Sequence, residues 1–167
     1  DNGNLTVSQI RSNARRLVRD EGVKLIIVDY IQLIKAGKDD RQAQRHVQIG
    51  NITGELKQMA MELQVPVIGL AQLNRAIEGE NRRPRLSDLR ESGSIEQDSD
   101  VVAFLYVEDV DMWDGPNMLL KLCIGKNRAG RQGEVDLVFV RNKIRFESAY
   151  DEQHTEWLNR RKKELAS

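Results

Sequence analysis

The stretch LIIVDYIQLI, residues 25–34, decides the fold class. Leu25, Ile26, Ile27 and Val28 in succession read as a strand buried on both faces, the signature of a parallel sheet covered on each side. Asp29 ends the apolar run, and Gln32 follows three positions later. A carboxylate at the carboxyl end of such a strand stands where α/β sheets bind their ligands. In phosphoryl-transfer enzymes an acidic residue here holds the magnesium ion that bridges the terminal phosphates, which makes Asp29 a candidate metal ligand of the Walker B kind. Taken alone, the same pattern also suits a helix N-cap or a turn.

The segments on either side alternate. Thr6 with Gln9 forms a capping-box pattern, and Ile10, Ala14, Leu17 and Val18 then recur at helical spacing until Gly22, giving a helix that feeds the Asp29 strand. After the polar segment AGKDDRQAQRH a second helical run, Ile49, Ile52, Leu56, Ala60 and Leu63, is closed by Pro66. VPVIGLAQL is the next strand candidate. A long irregular stretch over residues 75–100 precedes four more: VVAFLYV, MLLKLCI, VDLVFV and KIRFES. Helix, strand, helix, strand and then mostly strands joined by turns predict an α/β chain whose parallel central sheet is extended by antiparallel strands.

Composition narrows the class without deciding it. A chain of 167 residues is long enough for one compact domain with a real core. Lysine plus arginine equals aspartate plus glutamate at 26 each, so bulk charge does not argue for nucleic acid and only local clustering can. The single Cys123 lies in an apolar run and reads as a buried, inert thiol, which excludes a disulfide within the chain. With no apolar run approaching the roughly 18 residues of a membrane span, and no N-terminal signal region, the expected location is the cytoplasm and no membrane partner is expected.

Three further places carry candidate chemistry, each beside a plainer reading. Gln72 closes the VIGLAQL run. An amide there can bond a terminal phosphate or an attacking water through both its donor and its acceptor, although a surface glutamine fits equally. Arg75, Arg82, Arg83, Arg85 and Arg90 then gather in one loop, diluted by Glu78, Glu80 and Asp88. With main-chain amides around Gly93 and a helix start in RESGSIEQDSD, they suit contacts to phosphate oxygens along a nucleic-acid backbone; few aromatics lie nearby for base stacking. A solvated loop of internally paired charges is the alternative. In KNRAGRQG, residues 126–133, Lys126 and Arg128 are two apart on an extended segment, so they project to one side. Such cations could neutralise charge on a transferring phosphoryl group, in trans if the group belongs to a neighbouring subunit. By spacing alone, an ordinary hairpin with solubilising ends accounts for them as well.

Taken together, LIIVDYIQLI, LAQLNR, RPRLSDLRESGSIEQDSDVV and KNRAGRQGEVDLVF, in this order and separation over about residues 5–147, resemble the C-terminal RecA-like ATPase domain of the DnaB family of replicative DNA helicases. The RESG and SIEQDSD block is the most specific part. The resemblance implies a RecA-like P-loop NTPase core in a hexameric ring that moves along single-stranded DNA, with ATP and Mg2+ as cofactors and with primase and a helicase loader as partners. It assigns Asp29 as the Walker B aspartate, Gln72 as the residue coupling nucleotide to DNA, Arg90, Glu91 and Gly93 as the loop gripping the DNA backbone, and Lys126 and Arg128 as cations acting in trans.

Departures from the family pattern matter too. A glycine-rich phosphate loop ending in Gly-Lys-Ser/Thr and a catalytic glutamate after it are not found, so these residues resemble the second half of the domain and are expected to be part of a longer chain. Without the central phosphate-loop strand, an uncovered sheet edge and bare apolar helix faces are expected. Ala71 stands where the family often has serine, residues 107–117 read as a variable surface loop, and the expected division is a partial ATPase domain over 1–149 followed by a charged tail over 150–167. The tail suits either a docking helix or a frayed end. Readings of other classes are a RecA-type recombinase and a non-catalytic DNA-binding or subunit-docking module.

Overall fold

The computed structural model describes residues 5–37, 42–74, 77, 82–89, 92–107, 113–114 and 116–165. Helix α1 (Val7–Glu21) starts as the capping box predicts. The Thr6 hydroxyl accepts from the Gln9 amide at 3.4 Å, and the Gln9 side-chain oxygen accepts from the Thr6 amide at 2.9 Å. It ends at Gly22, whose φ of 66° is the left-handed conformation a side chain would disfavour. Strand β1 (Ile26–Val28) is shorter than the apolar run, because Ile31–Leu33 turn into a 3-10 helix after Asp29. Helix α2 (Arg45–Leu63) buries Ile49, Ile52, Thr53, Leu56 and Met59 and stops at Gln64 in a left-handed conformation, two residues ahead of Pro66.

Strand β2 (Val67–Gly69) pairs in parallel with β1, Val28 opposite Gly69. The crossover through α2 is the βαβ unit that parallel pairing needs. A Cβ at Gly69 would come within 2.7 Å of the Ile31 side chain, which would have to shift to admit it. The expectation that β1 is buried on both faces needs correction. Ile27 is 61% exposed, and Leu25, Ile68 and Leu70 are also exposed. Among the described residues the parallel sheet has two strands, so nothing covers their outer positions, and a two-stranded unit draws its stability from the helices packed beside it. Helix α3 (Ser92–Asp98) packs on α2, where Thr53 bonds the Asp98 carboxylate and a Cβ on Gly50 would strike Ser94 Oγ at 2.6 Å.

The strands that follow form a second, antiparallel sheet. Strands β3 (Val101–Tyr106), β5 (Asn117–Asn127), β6 (Gly133–Val140) and β7 (Arg145–Ser148) run in the order β3-β5-β6-β7, and the short β4 (Trp113–Asp114) pairs with β5. All four strand candidates of this half are present, though KIRFES begins pairing only at Arg145. Lys143 belongs to a 3-10 turn, and Ile144 has a φ of 49°. The charged tail is not frayed at its start: α4 (Glu152–Leu165) seats Trp157, 6% exposed, against Val138, Val140 and Ala149. The chain divides into two compact units, residues 1–78 with 86–99, and residues 79–85 with 100–167. Among the described residues no helix is long and apolar enough to cross a membrane.

Candidate functional site

In the first unit, the parallel pair sends two polar residues beyond the carboxyl ends of its strands. Asp29 follows β1 directly and is exposed. Two bonds stitch the strands together just past their paired ends: the Leu70 amide donates to the Val28 carbonyl at 2.9 Å, and the Ile31 amide to the Leu70 carbonyl at 2.9 Å. Asp29 is therefore held between a bonded carbonyl, that of Val28, and a bonded amide, that of Ile31. Gln72 does not end its strand, as the sequence suggested. β2 stops at Gly69, and Gln72 is exposed in an extended stretch that continues to a bridge between Leu73 and Leu89. The amide of Asn74 donates to the Asp88 carbonyl at 2.8 Å, which ties this stretch to the segment leading into α3.

Fit to a magnesium ion can be judged from the donor set. Among the described residues no group of three His, Cys, Asp or Glu side chains converges. Magnesium commonly takes only one or two protein carboxylates and completes its shell with substrate phosphates and water, so a single exposed aspartate at the end of β1 is compatible with that role. No described residues form a glycine-rich cradle for phosphates.

The arginine loop is only partly described. Arg75, Arg90 and Glu91 lie outside the described residues. Gly93 lies in the first turn of α3 with open space around its Cα, so packing does not demand glycine there. Arg82, Arg83 and Arg85 belong to the second unit. Arg82 donates to the Arg83 carbonyl at 3.3 Å, and Pro84 is buried between Arg83 and Arg85, which are exposed. Arg83 Nε donates to the buried Cys123 Sγ at 3.0 Å and lies 3.8 Å from a Glu134 carboxylate oxygen. The Cys123 sulfur, then Glu134, hold the Arg83 guanidinium above its ordinary pKa. Glu134 is held below the usual carboxylate range, first by the Lys121 ammonium at 3.1 Å, against its own partial burial, and then by the Tyr106 hydroxyl. Lys121 also pairs with Asp136 at 3.0 Å. Cys123, read from sequence as an inert core thiol, thus also accepts a bond from the arginine segment.

Lys126 and Arg128 stand at the far end of β5. Lys126 pairs with Val102, whereas Ile124 pairs with Ala103, so Gly125 is the extra residue of a β-bulge. The strand ends at Asn127, leaving Arg128 the first residue of the turn. Its guanidinium Nη1 meets Asp100 Oδ1 at 3.1 Å, and its amide donates to the Asp100 carbonyl at 2.8 Å. Asn127 winds the turn: its Nδ2 donates to the Arg131 carbonyl at 3.1 Å, and its Oδ1 accepts from the Ala129 amide at 3.3 Å. A Cβ on Gly130 would collide with Asn127 Nδ2 at 2.7 Å. Sequence reasoning passed over both Asp100 and Asn127. An asparagine followed three residues later by glycine is a turn signal that was available; nothing local marks Asp100.

The DnaB-like helicase C terminal domain matches residues 1–148. The replicative DNA helicase DnaC of Bacillus subtilis (strain 168) is 44% identical over 87% of this chain and 32% of its own length. The replicative DNA helicase DnaB of Geobacillus stearothermophilus is 42% identical over 91% and 34%. The chain therefore spans about a third of the length of the curated relatives it matches. A solved DnaB-like replicative helicase, described with its interactions with primase, superposes with a TM-score of 0.80 at 38% identity, covering 89% of this chain and 36% of the other. A solved ATPase domain superposes at 0.79, also at 38% identity, covering 89% and 53%. The α/β fold, with its parallel pair and antiparallel sheet, is that of a RecA-like ATPase domain, and the chain belongs to the DnaB-like helicase C-terminal domain family.

Proposed function

We propose that these residues form part of the ATPase motor of a replicative DNA helicase, a homohexameric ring that uses ATP and Mg2+ to move along single-stranded DNA and part the duplex at the fork. The observation that carries the reading is Asp29, exposed at the carboxyl end of β1 and bracketed by the bonds of Leu70 and Ile31, in a chain of this family. When bound, the metal supplies charge neutralisation on the terminal phosphates. Asp29 orients it, and Gln72, on the stretch leaving the adjacent strand, senses the nucleotide and passes its state toward Asp88 and α3. Arg82, Arg83 and Arg85, with Arg75, Arg90, Glu91 and Gly93, track the DNA backbone; guanidinium and amide contacts to phosphate position a strand without reading its sequence. Lys126 and Arg128 act in trans on nucleotide held by a neighbouring subunit. The phosphate cradle comes from elsewhere in the full-length protein.

Primase is proposed as a partner from the relative solved with it. A loader and a cytoplasmic location follow from the helicase reading itself.

The test is single-stranded-DNA-stimulated ATP hydrolysis by the full-length protein and its Asp29→Ala variant. Loss of an electrostatic stabiliser of this kind lowers turnover by about a hundredfold or more. Stimulated turnover that survives in Asp29→Ala would remove the metal role from this residue.

A further inference from the structure

The turn that carries Arg128 is more constrained than a hairpin needs. It is wound around the Asn127 amide, which bonds both the Arg131 carbonyl and the Ala129 amide. It is closed against Gly130, where any side chain would strike Asn127. It is fastened at its first residue by Asp100 through two separate bonds, one to the Arg128 amide and one to its guanidinium. Asp100 is itself fixed, because it immediately precedes β3, whose second residue, Val102, pairs with Lys126 next to the Gly125 bulge. Carboxylate, bulge and turn therefore lie in one rigid corner of the antiparallel sheet. A flexible arginine reaching across a subunit boundary loses rotamer freedom on engagement, and a carboxylate that holds its guanidinium beforehand removes part of that cost. A guanidinium has five donors in a planar fork, so a bond to one carboxylate oxygen is compatible with presenting the group to a phosphate.

We propose that Asp100 is a positioning residue, fixing the direction in which Arg128 presents its guanidinium to nucleotide on the neighbouring subunit. This rests on the trans role of Arg128 proposed above. Asp100 touches no reacting atom and acts only through Arg128, assisted by the Asn127 turn.

The experiment is a double-mutant cycle in the full-length protein, with Asp100→Ala, Asp100→Asn, Arg128→Ala and the pair Asp100→Ala/Arg128→Ala. Steady-state ATPase is read beside equilibrium binding of a fluorescent nucleotide. The Asp100 side chain is 54% exposed and the Arg128 side chain 57%, so truncation empties no core. Asp100→Ala lowers kcat about fivefold, the upper range for an exposed ion pair, and leaves nucleotide affinity unchanged. Asp100→Asn, which keeps an acceptor oxygen, recovers most of the loss, and Asp100→Ala adds nothing once Arg128 is alanine.

The outcomes separate the two claims. If Arg128→Ala lowers turnover while Asp100→Ala does not, or if the losses multiply in the double variant, the positioning role is wrong and the trans role stands. If Arg128→Ala leaves turnover intact, the trans role fails and the inference falls with it.

Discussion

Raising salt should weaken single-stranded-DNA binding by a calculable amount. If each of Arg75, Arg82, Arg83, Arg85 and Arg90 meets one phosphate, about 0.7 ions released per contact on a single strand gives a slope of about −3.5 in log K against log salt. Moving from about 50 to about 200 mM salt then costs roughly a hundredfold in affinity. The structure divides the contributions further. Arg85 is exposed, so Arg85→Ala should flatten the slope by about 0.7. Arg83 is shared with Cys123 and Glu134, so Glu134→Gln alters its surroundings without changing the number of cations and should leave the slope as it was. Fluorescence anisotropy of a labelled oligonucleotide on the full-length protein, with a non-hydrolysable nucleotide present, measures both quantities. A slope near zero, or an Arg85→Ala variant with the parent slope, would refute backbone tracking by this segment.

Other expectations concern the helix beyond the family match. Trp157→Ala removes a buried indole from the Val138, Val140 and Ala149 cluster, a change that costs about 3–5 kcal/mol in well-packed cores. A 14-residue charged helix is marginal without such an anchor, so circular dichroism should show lost helicity and proteases should cut within α4; unchanged traces would place the stability of α4 elsewhere. Glu147 is drawn from the ordinary 4.5 down to about 2, first by its bond to the buried His154 and then by Arg145. Because the folded value lies below the unfolded one, this stabilisation is complete above pH 4.5 and is lost as pH falls toward 2. Trp157 fluorescence in a Trp113→Phe background should report a change in that window, and Glu147→Gln should abolish it; an identical titration in the glutamine variant would show that another group is responsible.

Local signals carried much of the fold into the sequence. The Thr6 and Gln9 capping box, the helix stop at Gly22, the helical period of Ile49, Ile52 and Leu56, and the four apolar runs after residue 100 depend on near neighbours, and the structure has each, KIRFES pairing only from Arg145. What failed depended on distant ones. The composition of residues 25–28 suits a strand covered on both faces, yet Ile27 is 61% exposed. β2 ends at Gly69, and the close approach of Gly69 to the Ile31 side chain, 38 residues apart in the chain, is invisible to alternation. The motif residues could be nominated one by one, but pairing was hidden: neither Arg83 with Cys123 nor Arg128 with Asp100 follows any periodicity.

In the SIEQDSD block, residues close together in sequence answer to different partners. Ile95 buries itself in the first unit, and the Ser99 hydroxyl turns back to the Ile95 carbonyl at 2.6 Å, which closes α3. Asp98 commits its carboxylate to Thr53 on α2, inside that unit. Two residues later Asp100 commits its carboxylate to Arg128, inside the other. Helix α3 ends and β3 begins between those two acids, and the compact units part at Ser99 and Asp100. Each residue type is thus demanded by a different partner: a short acceptor for a buried threonine, a hydroxyl for a helix end, and a carboxylate for a guanidinium. The same boundary leaves Asp29 and Gln72 in one unit and Lys126 and Arg128 in the other.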